Sequence, residues 1–102
     1  LVGSEMCIRD RLKACYELDQ GNHASNETSI AKTFAAEAYS RVADRSIQMC
    51  GGLGVSKDMP LARLQQELRP FRIYDGPSEV HRWAIARRTV GRARKALEAK
   101  NR

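Results

Sequence analysis

Three observations predict an all-α fold for this 102-residue chain. Apolar residues recur at helical spacing in four segments, glycine and proline stand between them, and small residues cluster in the longest segment, where they favour close helix packing. Leu12 to about Asn22 reads as the tail of a helix, with Leu12, Cys15, Tyr16 and Asp19 on one stripe and Gly21-Asn22 as its stop. Asn26 or Thr28 is then expected to cap a long second helix. Its buried side is expected to hold Ile30, Phe34, Ala38, Val42 and Met49, helped by Ala35 and Ile47. That helix should end at Gly51-Gly52 and pass into a loop reaching Met59, because three glycines in four positions release the backbone from helical dihedrals. Pro60 suits the first turn of a short helix with Leu61, Leu64 and Leu68 at i, i+3 and i+7, and Pro70 ends it. Phe71 to Tyr74 forms an apolar connector. Gly76-Pro77-Ser78 opens a last helix to near Lys100, whose packed side should be Val80, Trp83, Ala84, Arg87, Val90 and Leu97.

The opening, Leu1 to Arg11, has no clear helical or strand period and begins without Met. It is similar to a peptide that arises when sequencing-adapter DNA is translated, so residues 1–11 are expected to be foreign and 12–102 to form one domain. A chain of this length buries roughly two-thirds of its unfolded surface at best, so the core is thin and partners are expected. With 42% hydrophobic and 29% charged residues it is no disordered tail.

The formal charge of +6 is placed unevenly: from Arg69 onward ten Lys or Arg face three acids, Asp75, Glu79 and Glu98. Such an excess attracts nucleic acid, an acidic membrane or a polyanionic ligand such as CoA, or simply solvates a helix face. Three cysteines without CxxC spacing suggest neither a disulfide framework nor a metal site, and fit a reducing compartment. No apolar run approaches the roughly 18 residues that span a bilayer, and no signal-peptide order opens the chain; it reads as soluble and not secreted.

Two segments carry chemistry. In Gln48-Met49-Cys50-Gly51-Gly52-Leu53-Gly54-Val55, glycines at a helix end let backbone N–H groups approach an anion or a planar ring, although a plain helix stop and turn is the commoner reason for such glycines. The segment follows a helix, so it is neither a Rossmann nor a P-loop cradle. In Arg72-Ile73-Tyr74-Asp75-Gly76-Pro77-Ser78-Glu79-Val80-His81-Arg82, an acid precedes a helix start. Asp75 is either an N-terminal cap or a base facing an apolar cleft, where loss of water strengthens a carboxylate as a proton acceptor.

The order helix, Q-x-x-G-G-x-G, short helix, I-Y-acid-G-x-S and final helix resembles the C-terminal domain of acyl-CoA dehydrogenases from about Leu12 to Arg102. The resemblance implies an antiparallel helical bundle, here incomplete at its N-terminus. It also implies a parent enzyme that desaturates acyl-CoA to a 2-enoyl-CoA with FAD as hydride acceptor, as in fatty acid β-oxidation, the fragment alone being inactive. Asp75 takes the place of the family's catalytic carboxylate, and its amide would help polarise the thioester carbonyl. Gln48, Gly51, Gly52 and Gly54 match the loop that contacts the FAD of a neighbouring subunit, while Gly76, Pro77, Ser78 and Glu79 match the segment beside the flavin. The implied partners are acyl-CoA, a second subunit in a homodimer or homotetramer, and an acceptor such as electron transfer flavoprotein, without nucleic acid or a membrane span. The setting would be bacterial cytoplasm, mitochondrion or peroxisome.

Three departures from the family pattern stand out. Asp75 replaces the more usual Glu and shortens the base by one methylene. Gln66 replaces a common Arg, which would leave Glu67 short of an ion pair, and Pro70 alters the approach of Phe71 and Arg72. His81 is read as a satisfied polar residue, His23 as a loop residue, and Tyr74 and Trp83 as packing residues rather than flavin stackers. The competing readings are a basic module that binds nucleic acid through Arg82, Arg87, Arg88, Arg92, Arg94 and Lys95, and a non-catalytic relative that keeps the bundle for assembly.

Overall fold

The computed structural model describes residues 2–101; Leu1, from the stretch read as foreign, and Arg102, the last basic residue, lie outside the described residues. Four α-helices follow one another: α1 (Val2–Asp19), α2 (Ser25–Val55), α3 (Leu61–Leu68) and α4 (Ser78–Lys100), with a 3-10 turn at Arg69–Arg72 between the last two. No strand occurs among the described residues, so the all-α expectation holds.

Leu12 to Asp19 is the tail of the first helix as expected, and the helix also takes in the stretch before Leu12, where the sequence shows no helical period. Its composition explains this, since Met, Arg, Leu, Lys, Ala and Glu favour helix without needing an apolar stripe. The helix ends as the sequence suggested. Gly21 takes a left-handed φ of 74°, its N–H donates to the Leu18 carbonyl (2.9 Å), and the Asn22 N–H donates to the Glu17 carbonyl (3.0 Å). This is the paired bonding of a Schellman stop.

Helix α2 is the hub against which α1, α3, the 3-10 turn and α4 all pack. Neither Asn26 nor Thr28 caps it. Ala24 holds the cap position with no side-chain bond, and the Thr28 and Ser29 hydroxyls instead donate back to the carbonyls of Ala24 and Ser25, both at 2.7 Å. The expected core stripe is also corrected. The buried apolar side chains are Ala14, Ala24, Ala31, Ala36 and Ala43, whereas Val42 is 61% and Met49 88% exposed. Helices cross closely where side chains are small, and of the larger expected residues of α2 Phe34 and Ile47 are half-buried. Its last turns differ too. Gly51 breaks the helix with φ 55° and ψ −137°, yet one more helical turn runs to Val55 before the chain leaves.

Along α4 the expected packed side is again largely outside: Trp83 is 60% exposed, and Val80, Val90 and Leu97 are exposed as well. Ser78 is buried and His81, Ala84, Ile85 and Arg88 are half-buried, while every residue from Gly91 to Asn101 is exposed. The chain is long and thin, 65 × 26 × 25 Å, with a Cα radius of gyration of 17.9 Å against about 13 Å for a compact chain of this size. Its accessible surface of 8039 Å² likewise exceeds the roughly 5,800 Å² that a compact monomer of 11.5 kDa shows. Much apolar surface is therefore available for other polypeptide to cover. No described helix is long and apolar enough to cross a membrane.

Candidate active-site loops

The connection into α4 is the most constrained piece of backbone in the chain. Asp75 is the one non-glycine residue with positive φ among those described (51°), and Gly76 follows at 88°. A left-handed non-glycine residue costs on the order of 1–3 kcal/mol, less for Asp than for most, and persists where its surroundings hold it. Three side-chain bonds do so. Lys32 Nζ, on α2, donates to the carbonyls of Tyr74 (3.0 Å) and Gly76 (2.6 Å). His81 Nε2, on α4, lies 3.0 Å from the Asp75 carbonyl. A carbonyl only accepts, so Nε2 carries the proton and His81 is the satisfied polar residue expected. Asp75 does not cap the helix: Pro77 holds the cap position and no side-chain cap bond forms. Nor does an apolar cleft enclose Asp75, which is exposed in this chain.

Behind this loop lies a charged cluster the sequence did not announce. Glu37 on α2 accepts from Arg72 Nε at 2.9 Å, and Arg82 Nη2 lies 3.6 Å from the same oxygen. Burial pushes the Glu37 carboxyl up, but hydrogen bonding from Arg72, the Ser78 dipole and the charges of Arg72 and Arg82 together outweigh it, holding the group below the usual carboxylate range. Ser78 is only 1% exposed, and its hydroxyl has no partner within bonding distance. Of the four residues expected beside a flavin, Ser78 is turned inward, whereas Gly76 and Pro77 are half-buried and Glu79 is exposed.

Pro70 shapes the approach. It stands in the first turn of the 3-10 segment, and its carbonyl accepts from the N–H groups of Ile73 (2.8 Å) and Tyr74 (3.0 Å). The tight turn delivers Arg72 to Glu37 and leaves Phe71 exposed beside Tyr74, with ring centroids 5.1 Å apart. Tyr74, expected to be a packing residue, is exposed and touches only the Phe71 ring among the described aromatic contacts. Trp83 is likewise an exposed ring under Arg87, whose guanidinium carbon lies 5.3 Å from the centroid. Glu67 is not left unpaired by Gln66, because Arg63 one turn earlier bonds it at 2.7 Å.

The glycine loop is built differently. Gly51 supplies a backbone conformation that side chains rarely adopt, and Gly54 is buried: a Cβ there would lie 2.5 Å from the Ile47 carbonyl oxygen. Gly52 meets nothing within 4 Å and is exposed beside exposed Gln48. The result is approachable backbone at Gly51 and Gly52, braced from behind by Gly54, which fits a flat or anionic group laid against it. The two loops are not brought together within one chain. Lys32, which anchors the acid loop, stands sixteen residues before Gln48 on α2, or about 24 Å of helix. No group of three or more potential metal ligands occurs among the described residues.

An extended helical unit with a strained acid loop and a separate glycine loop defines a class, an all-α domain that carries its two candidate loops apart. Residues 11–90 match the family described as Acyl-CoA dehydrogenase, C-terminal domain, and the chain belongs to that family of flavin-dependent dehydrogenases. It is 43% identical over 91 residues to human Acyl-CoA dehydrogenase family member 11, covering 87% of this chain and 12% of that protein. To Probable acyl-CoA dehydrogenase FadE2 of Mycobacterium tuberculosis it is 43% identical over 89 residues, covering 85% and 22%. Among solved structures, the FAD complex of PigA matches with a TM-score of 0.83 at 26% identity, covering 89% of this chain and 24% of that one. The chain thus spans about an eighth of its human relative and about a quarter of the solved structure.

Lys32 and Glu37, unlike Arg82 of the acid segment itself, carry no motif in the sequence that ties them to the acid loop. The available signal was weak: Lys32 and Glu37 are the two charged residues in the small-residue run Ala31 to Ala38 on the hub helix.

Proposed function

We propose that this chain is the part of a flavin-dependent acyl-CoA dehydrogenase that carries the catalytic base, completed by other domains and by a second subunit of a homodimer or homotetramer. The strained, side-chain-tethered backbone at Asp75 carries this reading, because strain held by dedicated long-range bonds is a mark of functional sites. Asp75 would take the α-proton of an acyl-CoA and its amide would donate to the thioester carbonyl, stabilising the negative charge that develops there. Bound FAD would supply the hydride acceptor, giving a 2-enoyl-CoA. Gly76, Pro77 and Glu79 would lie beside the flavin, with Ser78 buttressing them from inside. Gln48, Gly51, Gly52 and Gly54 would hold the FAD of the neighbouring subunit, a division favoured by the length of helix between the loops. An acceptor such as electron transfer flavoprotein would reoxidise the flavin, the order expected of fatty acid β-oxidation. Residues 1–11 would be dispensable to all of this.

Shortening Glu to Asp at the base fits the loop observed, since Asp tolerates left-handed φ better than Glu does. The test is Asp75→Asn in the full-length protein: turnover of acyl-CoA should fall by roughly 10²–10⁴-fold with FAD content retained. Unchanged turnover would leave the chain as an assembly relative. A nucleic-acid role is less well supported. Arg82 is engaged by Glu37 and Glu79, Arg88 by the Ser25 carbonyl and the Ser29 hydroxyl, Arg94 by Glu98, and Arg87 lies over Trp83.

A further inference from the structure

The bonds from Lys32 do more than restrain the acid loop; they decide which way its amides face. In a trans peptide the C=O and N–H groups point in opposite directions, and the described chain has no cis bond. The Tyr74 carbonyl and the Asp75 amide belong to one peptide group, so drawing the carbonyl onto Lys32 Nζ turns the Asp75 N–H away from α2. His81 does the same to the next group: holding the Asp75 carbonyl turns the Gly76 N–H away from α4. No acceptor pairs with the Asp75 amide among the described residues, whereas Ile73 and Tyr74 both donate to Pro70. The loop therefore presents an outward donor directly beside an exposed carboxylate.

We propose that Lys32, assisted by His81, is a positioning residue that aims the Asp75 amide at the carbonyl of the bound acyl thioester. This rests on the catalytic reading of Asp75 and adds to it a residue more than forty positions away. The chemistry suits the task. An ammonium has three donors and no acceptor, so one Nζ can hold the carbonyls on both sides of Asp75 at once, and charge-assisted bonds are roughly twice as strong as neutral ones. They offset the strain of the left-handed backbone. Gly76 is part of the same device, because a Cβ there would lie 2.8 Å from His81 Nε2 and dislodge the second tether.

The test uses the full-length holoenzyme with Lys32→Met, Lys32→Arg, His81→Ala and Asp75→Asn. The probes are butyryl-, octanoyl- and palmitoyl-CoA, each paired with the S-alkyl-CoA thioether that lacks the carbonyl. Lys32→Met is expected to lower kcat roughly 100-fold with little change in KM. It should also cut the preference for thioester over thioether in binding by about tenfold, as the loss of one hydrogen bond would. Lys32→Arg, which can still reach two carbonyls, should recover most of both effects, and His81→Ala should move the binding preference in the same direction by less. A purely structural Lys32 would weaken both ligands and FAD alike and leave the preference intact, overturning the proposal; so would a wild-type kcat. Should Lys32→Met fail to fold, His81→Ala decides, an unchanged preference counting against the device. Asp75→Asn separates the two levels: full turnover there removes the catalytic reading itself, whereas an inactive Asp75→Asn beside an unaffected Lys32→Met removes only the role of Lys32.

Discussion

The glycine loop at Gly51 to Gly54 and the acid loop at Tyr74 to Glu79 both present approachable backbone, but they are held by opposite means. The first is shaped by its own residues: Gly51 turns, Gly54 lets the last helical turn fold against Ile47, and the Ser56 hydroxyl just downstream donates to the Leu53 carbonyl. The second is shaped from a distance, by Lys32 on α2 and by His81 one turn into α4. A loop of the first kind is robust to changes elsewhere and fragile at its glycines. A loop of the second kind can be strained, and so can set a carboxylate and an amide at fixed angles, but it depends on the packing of α2 against α4.

That contrast can be broken or sharpened by substitution. The largest effect on stability should come from Gly76→Ala, which combines a positive φ with a clash against His81; a loss of about 2–4 kcal/mol in chemical denaturation is expected, and a loss below 0.5 would mean that the tether is slack. Gly54→Ala should follow at about 1–3 kcal/mol, since the clash is with backbone that cannot easily give way. Next is Glu37, whose folded carboxyl is held below its usual range. Its contribution is fully present above the unfolded value near 4.5 and is lost as pH falls through the lower folded value. Thermal melts of the wild-type chain should therefore drop as pH is lowered through that window, and Glu37→Gln should flatten the drop while lowering stability at neutral pH; parallel curves would remove Glu37 from the cluster's role. The smallest effect should be Gly52→Ala, within about 0.5 kcal/mol in stability because a Cβ there meets nothing. In the full-length protein it should nonetheless weaken FAD binding, and equal FAD affinity would separate Gly52 from the cofactor.

The same contrast explains what could be read from sequence. The helical class, the stops at Gly21 and Gly51, the break at Pro70 after α3 and the start of α4 are local matters of dihedral preference, and the sequence carries them openly. The core was misread because spacing alone selects large residues, and Val42, Met49, Trp83 and Leu97 do sit on stripes; in this thin arrangement the close crossings fall on alanines, and the large side chains stay outside. The extra helical turn at Gly52 to Val55 was missed because glycine was taken as a full stop, when only Gly51 leaves helical dihedrals. Asp75 was legible as a candidate through its motif. The Lys32 tethers and the Glu37 cluster were not, since they join residues 35 to 45 positions apart and leave no periodic trace.

Exchange of the α-hydrogen of bound acyl-CoA with deuterated solvent, followed by NMR in the full-length protein and its Asp75→Asn variant at equal FAD content, tests the central claim most directly. The account predicts exchange in the wild type and its loss, by at least about 100-fold, in Asp75→Asn with acyl-CoA still bound. Equal exchange in the two would contradict it and place the base elsewhere.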